Sequence, residues 1–129
     1  MSPVSGEAAG AAAREAVIPH QAMREDMMQS QSAELWVMTM LEAHVTPENW
    51  TILEQAYRNA IERGRPAQML QSYLIQHVSD PTLWNIVALW SSREALDAYR
   101  RSVEIPEGLE VFRAAGVEPA LSIFNVVAA

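Results

Sequence analysis

Three histidines are the side chains in this sequence best suited to proton transfer near neutral pH. They are His20, His44 and His77, and none of them stands at a spacing typical of metal ligands. Glu42 and His44 lie two residues apart where the first predicted strand continues past residue 41, so their side chains point to the same side of it. A zinc site needs at least three such ligands, and the sequence supplies no third one nearby. We therefore assign no metal ligands.

The sequence also lacks the signatures of common cofactor sites. It contains no P-loop and no nucleophile elbow. Its five glycines include no G-x-G-x-x-G pattern, which a flavin or nicotinamide site would use for the phosphates. The absence of cysteine excludes thiol catalysis and thiolate metal sites. We therefore expect a protein that works without a cofactor.

The aromatic side chains of a predicted β-hairpin form the most distinctive cluster. A four-residue turn at 79–82 would place His77 opposite Trp84 and Tyr73 opposite Ala88. This register groups four side chains on one face of the sheet: Tyr73, His77, Trp84 and Trp90. The small Ala88 leaves room beside them. These aromatic residues could line a ligand pocket, or they could simply form the core of the fold.

These positions lie in a regular alternation of predicted strands and helices. Four short apolar runs are predicted strands: 35–41, 69–78, 83–90 and 120–127. A helix begins at Thr46 and Pro47 and ends at Gly64, and two shorter helices follow the third strand. The order β-α-β-β-α-β predicts an α+β, ferredoxin-like domain over residues 33–129. Its four-stranded antiparallel sheet would carry helices on one face.

The second face of that sheet is also predicted to be apolar. Hydrophobic residues occupy both parities of the first and third strands, at 35–41 and 86–89. A single copy would expose this face as a large apolar patch. We therefore expect a homodimer in which two sheets pack face to face.

Residues 1–32 differ in composition from the rest of the chain. They are rich in Ala, Ser, Gln and Met, and Pro19 interrupts any helix in the first part. Helix formers at 21–31 place Met23, Met27 and Met28 on neighbouring turns. We expect an N-terminal extension that is either a flexible tail or one short helix. Such a helix would pack its methionines on the domain or on a partner subunit.

The charge balance disfavours several classes of partner. Nine basic residues, all of them Arg, against sixteen acidic residues give a net charge of −7. Such a chain is poorly suited to bind nucleic-acid phosphates or an anionic membrane surface. No apolar run is long enough to span a bilayer, and the N-terminus has no signal-peptide pattern. We therefore expect a cytoplasmic protein.

Residues 82–102 resemble the third strand and second helix of the antibiotic biosynthesis monooxygenase family. The matching features are a strand that ends in Trp90-Ser91-Ser92, followed by Glu94-Ala95-Leu96 and Tyr99. The order of elements over 33–129 agrees as well. The resemblance implies a dimeric α+β barrel with a pocket between sheet and helices, and it places Trp90 at that pocket.

The resemblance also implies a chemistry, because members of the family oxidise polycyclic phenols without metal or flavin. A base removes a phenolic proton, the anion passes an electron to O₂, and recombination gives an oxygenated ring and then a quinone. The base would be His77 or His44, since a base needs a pKa near the working pH. Trp84 and Trp90 would form the walls of the slot for the aromatic ligand. Tyr73 would donate a hydrogen bond to it.

The sequence departs from the family's patterns at two places. Ile86 stands where quinone-forming members have Asn, four residues before Trp90, and Asn85 has the opposite parity. No His occurs at 99–102, where haem-degrading relatives carry the axial ligand, so haem degradation is not expected. The alternative function is a non-catalytic dimeric module that binds a small apolar ligand or a partner.

Overall fold

A computed structural model of the protein describes residues 35–129. The N-terminal extension predicted at 1–32 lies outside the described residues. The described part contains four strands and three helices: β1 Val37–His44, α1 Trp50–Glu62, β2 Met69–Gln76, β3 Leu83–Trp90, α2 Arg93–Ser102, α3 Glu107–Ala114 and β4 Ala120–Asn125. A short 3-10 turn at Pro47–Asn49 leads into α1.

The four strands form one antiparallel sheet in the order β2-β3-β1-β4. β3 pairs with β1 along its whole length, from Leu83 opposite His44 to Trp90 opposite Val37. This arrangement confirms the predicted ferredoxin-like α+β fold. It makes β3 a central strand, so the side chains of β3 determine what lies between the sheet and the helices.

The ends of the helices follow from local backbone chemistry. Pro47 stands at the start of the helical segment after Thr46, as predicted. α1 ends before Gly64, which has a φ of 104°, a conformation that favours glycine. The Ser92 side chain accepts a hydrogen bond from the Ala95 N–H at 3.0 Å and so caps α2. These helix boundaries determine which helical residues face the sheet.

The core lies between the sheet and the helices in two clusters of buried side chains. In the larger cluster, Leu53 of α1 and Phe112 of α3 pack against the β3 side chains Trp84 and Ile86. The smaller cluster surrounds Trp90 and contains Val37, Ala88 and Leu96. Full burial of one such aliphatic or aromatic side chain stabilises a fold by about 1.5–3 kcal/mol. The four β3 side chains on this face are therefore all fixed by burial in the core: Trp84, Ile86, Ala88 and Trp90.

The hairpin between β2 and β3 differs from the predicted one by one residue. Trp84 lies opposite Gln76, not opposite His77, and Tyr73 lies opposite Val87, not opposite Ala88. Because side chains alternate between the two faces of a sheet, this slip moves a whole set of residues across it. Tyr73 and His77 therefore lie on the face opposite to Trp84 and Trp90, and the predicted grouping of these four side chains is wrong.

The length of the connection is the cause of this shift. β2 ends at Gln76, two residues before the predicted end, and Val78 is fully exposed. Asp80 closes the turn, since its side chain accepts hydrogen bonds from the Thr82 hydroxyl at 2.8 Å and from the Thr82 N–H at 3.3 Å. The sequence signals a turn here, but the apolar Val78 looks like a further strand residue.

The second face of the sheet, called the open face below, bears no helix within residues 35–129. Several of its apolar side chains are largely exposed: Tyr73 at 56%, Ile75 at 44% and Phe124 at 47%. Val87 and Leu89 of β3 lie between them, half-buried. The structure thus shows the apolar second face on which the homodimer was predicted. No helix in the described part is both long enough and apolar enough to cross a membrane.

Candidate functional site

A cavity of about 130 Å³ lies between the sheet and the helices. We call it the helix-side cavity. Its floor is the sheet, where the small Ala88 lies between Ile86 and Trp90 and leaves a recess. Tyr57 of α1 and Tyr99 of α2 line it from the helices. The lining is mostly apolar with a few hydroxyl groups, which is typical of a site for a small organic ligand.

Trp90 and Tyr99 form the aromatic wall of this cavity. Their ring centroids are 5.1 Å apart with an interplanar angle of 36°. The Trp90 indole N–H donates to the Thr39 hydroxyl at 3.1 Å, and the Tyr99 hydroxyl accepts from the Glu107 backbone N–H at 3.0 Å. Both rings are thus held by packing and by a hydrogen bond.

Tyr99 keeps its phenolic proton at neutral pH. Burial raises the pKa of its hydroxyl above the usual value, and the hydrogen bond from the Glu107 N–H opposes that shift only in part. The proton on the hydroxyl has no acceptor among the described residues. Tyr99 can therefore donate a hydrogen bond to an oxygen atom of a ligand in the cavity.

A second pair of hydroxyl groups lies on the other side of the cavity. The Tyr57 hydroxyl and the Ser72 hydroxyl are 2.9 Å apart, and either one can be the donor. Both residues also line a neighbouring groove of about 280 Å³, at the β2 edge of the sheet. This hydroxyl pair therefore separates the helix-side cavity from what we call the edge groove.

Charged residues line the cavity as well. Arg65 and Arg100 are exposed, which places them at its mouth. Glu107, at the start of α3, is the one acidic residue in the described lining, and its Oε2 accepts a hydrogen bond from Arg63 Nε at 3.3 Å. Gly108 follows it, and a Cβ there would lie 2.6 Å from Leu41 Cδ1. Glycine thus lets α3 approach the sheet closely.

Of the sequence-predicted binding residues, Trp90 lines the helix-side cavity and two others do not. Trp84 lies on the same face but packs against Trp50, with ring centroids 5.9 Å apart in an edge-to-face arrangement, and lines the edge groove. Its indole N–H is buried and has no acceptor among the described residues. Tyr73 is exposed on the edge strand, and its hydroxyl donates to Gln71 Oε1 at 3.3 Å.

His77 lies on the open face in a chain of hydrogen bonds with Asn85 and Glu42. Asn85 is only 1% exposed; its Nδ2 donates to Glu42 Oε2 at 3.3 Å and its Oδ1 lies 3.1 Å from His77 Nε2. A carboxylate only accepts, so the amide nitrogen must face Glu42 and the amide oxygen must face His77. In this chain, His77 Nε2 therefore donates its hydrogen bond to the Asn85 amide oxygen.

His44 lies at the same end of the sheet as His77, and Leu83 of β3 lies between them. Leu83 is opposite His44 of β1, and its carbonyl oxygen accepts a hydrogen bond from the His77 N–H. The Thr82 hydroxyl donates its proton to Asp80, so His44 Nδ1 must donate to that hydroxyl, 2.9 Å away. This hydrogen bond from Thr82 also lowers the pKa of Asp80. Neither His44 nor His77 lines the helix-side cavity. A catalytic role for them stays a prediction from the sequence, and it would place the chemistry on the open face.

Sequence reasoning missed the helical residues of the cavity. Tyr57 and Tyr99 fit the apolar stripe of a helix, and Arg100 fits a solvated helix face. One signal in the sequence could have identified them. Tyrosine stands at apolar, sheet-facing positions of α1 and α2, where leucine or phenylalanine would pack equally well. A buried phenol needs a hydrogen-bond partner, so two tyrosines on sheet-facing stripes indicate polar groups beneath them.

Together, the fold and the cavity define a ferredoxin-like α+β domain with a ligand-sized site between its sheet and its helices. Within that class, the chain belongs to the antibiotic biosynthesis monooxygenase family. The family's model matches residues 36–115, more than half of the chain. The match includes β1, β2, β3 and all three helices that surround the cavity.

Several solved structures share the fold. A conserved protein from Methanosarcina mazei Go1 has a TM-score of 0.58 and 18% identity, over 74% of this chain and 96% of that one. A Caulobacter crescentus CB15 protein, provisionally described as an antibiotic biosynthesis monooxygenase, has a TM-score of 0.58 and 13% identity, over 79% and 99%. Identities this low show the fold alone. No curated protein is significantly similar in sequence to this chain.

Proposed function

We propose that the protein is a monooxygenase that oxidises a phenolic or polycyclic aromatic small molecule with O₂ in the helix-side cavity. The observation that carries the proposal is the pairing of an aromatic wall with hydroxyl groups around one cavity, in a chain of this family. A cavity of about 150 Å³ in another protein binds benzene, so about 130 Å³ admits one aromatic ring. A larger ring system would extend toward the mouth or past the hydroxyl pair into the edge groove.

Binding would place the reacting ring against Trp90 and Tyr99. Aromatic rings attract one another in offset or edge-to-face contact by about 0.5–1.5 kcal/mol beyond the burial of area. The Tyr99 hydroxyl and the Tyr57–Ser72 hydroxyl pair would hold the oxygen atoms of the substrate. Burial of the ring would keep a reactive oxygen species away from bulk water.

The reaction needs a proton acceptor, and we assign that role to the Glu107 carboxylate. The sequence favoured a histidine, but both candidate histidines lie on the open face, whereas Glu107 lines the cavity. The substrate gives a proton to the carboxylate and one electron to O₂, and the radical and superoxide combine to form a C–O bond. The resulting peroxide anion takes the proton back from the Glu107 carboxylate, and loss of water then leaves a carbonyl. Overall, a ring CH₂ and one O₂ give a ring C=O and one water, so no external reductant is consumed.

Oxygen uptake tests this proposal. We expect an anthrone-type ring to consume one O₂ for each quinone formed, with the same rate in the presence of a metal chelator. Replacement of Glu107 by Gln should slow turnover by about 10²–10⁴-fold and leave ring binding intact, since the lost group acts on the proton. Glu110→Gln is the matched control, because Glu110 lies on the same helix, exposed and outside the lining.

The alternative function, a non-catalytic binding module, predicts a different result. Aromatic ligands would then quench tryptophan fluorescence, and a panel of phenolic compounds would give no oxygen uptake. That outcome would overturn the monooxygenase proposal and support the binding module.

The open face supports a homodimer as the working form. Tyr73, Ile75 and Phe124 are each about half exposed on it, and burial of such apolar area is the main source of stability in dimer interfaces. A second copy packed sheet to sheet would cover them and would also enclose the His44 and His77 end of the sheet. The cytoplasmic location rests on composition and stays a prediction from the sequence.

A further inference from the structure

We propose that the substrate is an aromatic acid whose carboxylate is bound by Arg65 and Arg100 at the mouth of the helix-side cavity. This inference rests on the proposed function, since it takes that cavity as the substrate site. It adds a substrate class and two specificity-determining residues.

The two arginines at the mouth differ from the paired arginines of the domain. Arg58, Arg63, Arg93 and Arg113 each have a carboxylate oxygen within 3.3 Å: in Glu54, Glu107, Asp97 and Glu118 respectively. Arg65 and Arg100 have no carboxylate within ion-pair distance among the described residues. Within the described part of the chain, two arginines that line one cavity therefore keep their hydrogen-bond donors available for a ligand. Arginine is well suited to that task, because its planar group matches a carboxylate.

The carboxylate of Glu107 does not cancel this positive charge. Glu107 lines the same cavity, but it is paired with Arg63, which lies outside the lining. Among residues 35–129, the local balance at the cavity is therefore two arginines without a carboxylate partner beside one ion pair. The whole chain carries a net charge of −7, so its overall field repels anions. A preference for an anionic ligand must consequently come from these local guanidinium groups.

The distribution of polar groups orients the ligand. The hydroxyl groups of Tyr57, Ser72 and Tyr99 accompany the apolar lining, whereas both arginines are exposed at the rim. The reacting, oxygen-bearing end of the ring would enter first and the carboxylate would stay at the mouth. The substrate class is therefore an aromatic acid whose phenolic or keto oxygen lies at the end remote from its carboxylate.

Calorimetric titration with two matched probes tests this inference. The probes are 6-hydroxy-2-naphthoate and its neutral amide, 6-hydroxy-2-naphthamide. We expect the acid to bind about tenfold more tightly at low salt, because charge-assisted hydrogen bonds are about twice as strong as neutral ones. Raising the salt concentration should reduce the difference in affinity between the acid and the amide, because salt screens the charges of solvent-exposed arginines.

Single arginine variants then test which residues cause the preference for the acid. Arg65→Gln and Arg100→Gln should each weaken binding of the acid about three- to tenfold and leave the amide unchanged. Arg101→Gln is the matched control, because Arg101 is the next residue of α2, exposed and outside the lining. Equal affinity for the two probes, failure of both to bind, or an equal loss in Arg101→Gln would overturn the inference.

The outcomes separate this inference from the proposed function. Preferential binding of the acid without oxygen uptake by any phenolic substrate leaves the arginine site standing and overturns the monooxygenase proposal. Oxygen uptake with a neutral anthrone and no preference for the acid overturns the arginine site alone.

Discussion

Replacement of Thr39 by valine should show how firmly the aromatic wall of the helix-side cavity is held. The Thr39 hydroxyl accepts the Trp90 indole N–H at 3.1 Å, and Trp90 is only 3% exposed. Valine has almost the same shape but no acceptor, so the indole N–H would be buried without a partner. An unsatisfied buried donor costs about 1–3 kcal/mol. For a domain of this size, that loss lowers the Tm by about 4–8 °C per kcal/mol.

A double-mutant cycle isolates this hydrogen bond. Trp90→Phe removes the donor together with part of the ring, and we expect it to cost about 2 kcal/mol from the lost bond and the space left behind. In the double variant no donor remains to be left unpaired. The double variant should therefore lose about 1 kcal/mol less than the sum of the single variants. Urea unfolding at a fixed protein concentration gives the required free energies of unfolding.

Thr51→Val is the control for this cycle, because Thr51 is exposed on α1 and its side chain has no hydrogen bond to another residue within 35–129. It should change the free energy of unfolding by less than about 0.5 kcal/mol. If the Thr39 and Trp90 effects add within about 0.3 kcal/mol, the two side chains are not coupled. The aromatic wall would then be held by packing alone, and the hydrogen bond between Trp90 and Thr39 would contribute no measurable stability.

Three further predictions concern Trp84 of β3, Gly108 of α3 and the open face. Trp84→Phe should cost about 1 kcal/mol less than Trp90→Phe in urea unfolding, because its indole N–H has no acceptor among the described residues; an equal cost would argue against this reasoning. Gly108→Ala should fold, since the end of the Leu41 side chain can move, but should weaken ring binding in calorimetry as that side chain enters the cavity; unchanged affinity would refute it. Leu89→Asp should yield a monomer by light scattering at micromolar concentration, because an unpaired carboxylate among the apolar side chains of the open face is costly to bury between two sheets; a stable wild-type monomer would contradict the dimer itself.

The order of elements was predictable because each boundary has a local cause. Pro47 starts the first helical segment, and Gly64 ends α1 with a positive φ. Trp90 was placed at the pocket from the sequence through the family resemblance of residues 82–102, in which the strand ends in Trp90-Ser91-Ser92. Such features act over a few residues, so they can be recognised without knowledge of the tertiary structure.

The composition of the site was less predictable because it depends on register and on contacts between distant elements. One additional loop residue, Val78, moves Tyr73 and His77 to the open face. Arg65, in the loop after α1, and Arg100 of α2 line one cavity only because both helices lie on the same side of the sheet. No local pattern in the sequence records either fact.

Oxygen uptake by two variants tests most directly whether the chemistry takes place in the helix-side cavity. Ala88→Val fills the recess between Ile86 and Trp90, at a packing cost of about 1–3 kcal/mol that thermal unfolding will register. We expect a folded Ala88→Val variant to lose ring binding and oxygen uptake by at least about tenfold, whereas the double variant His44→Gln/His77→Gln should retain both. Full activity of Ala88→Val, together with loss of activity in the histidine double variant, would contradict a reaction in the helix-side cavity and would place it on the open face.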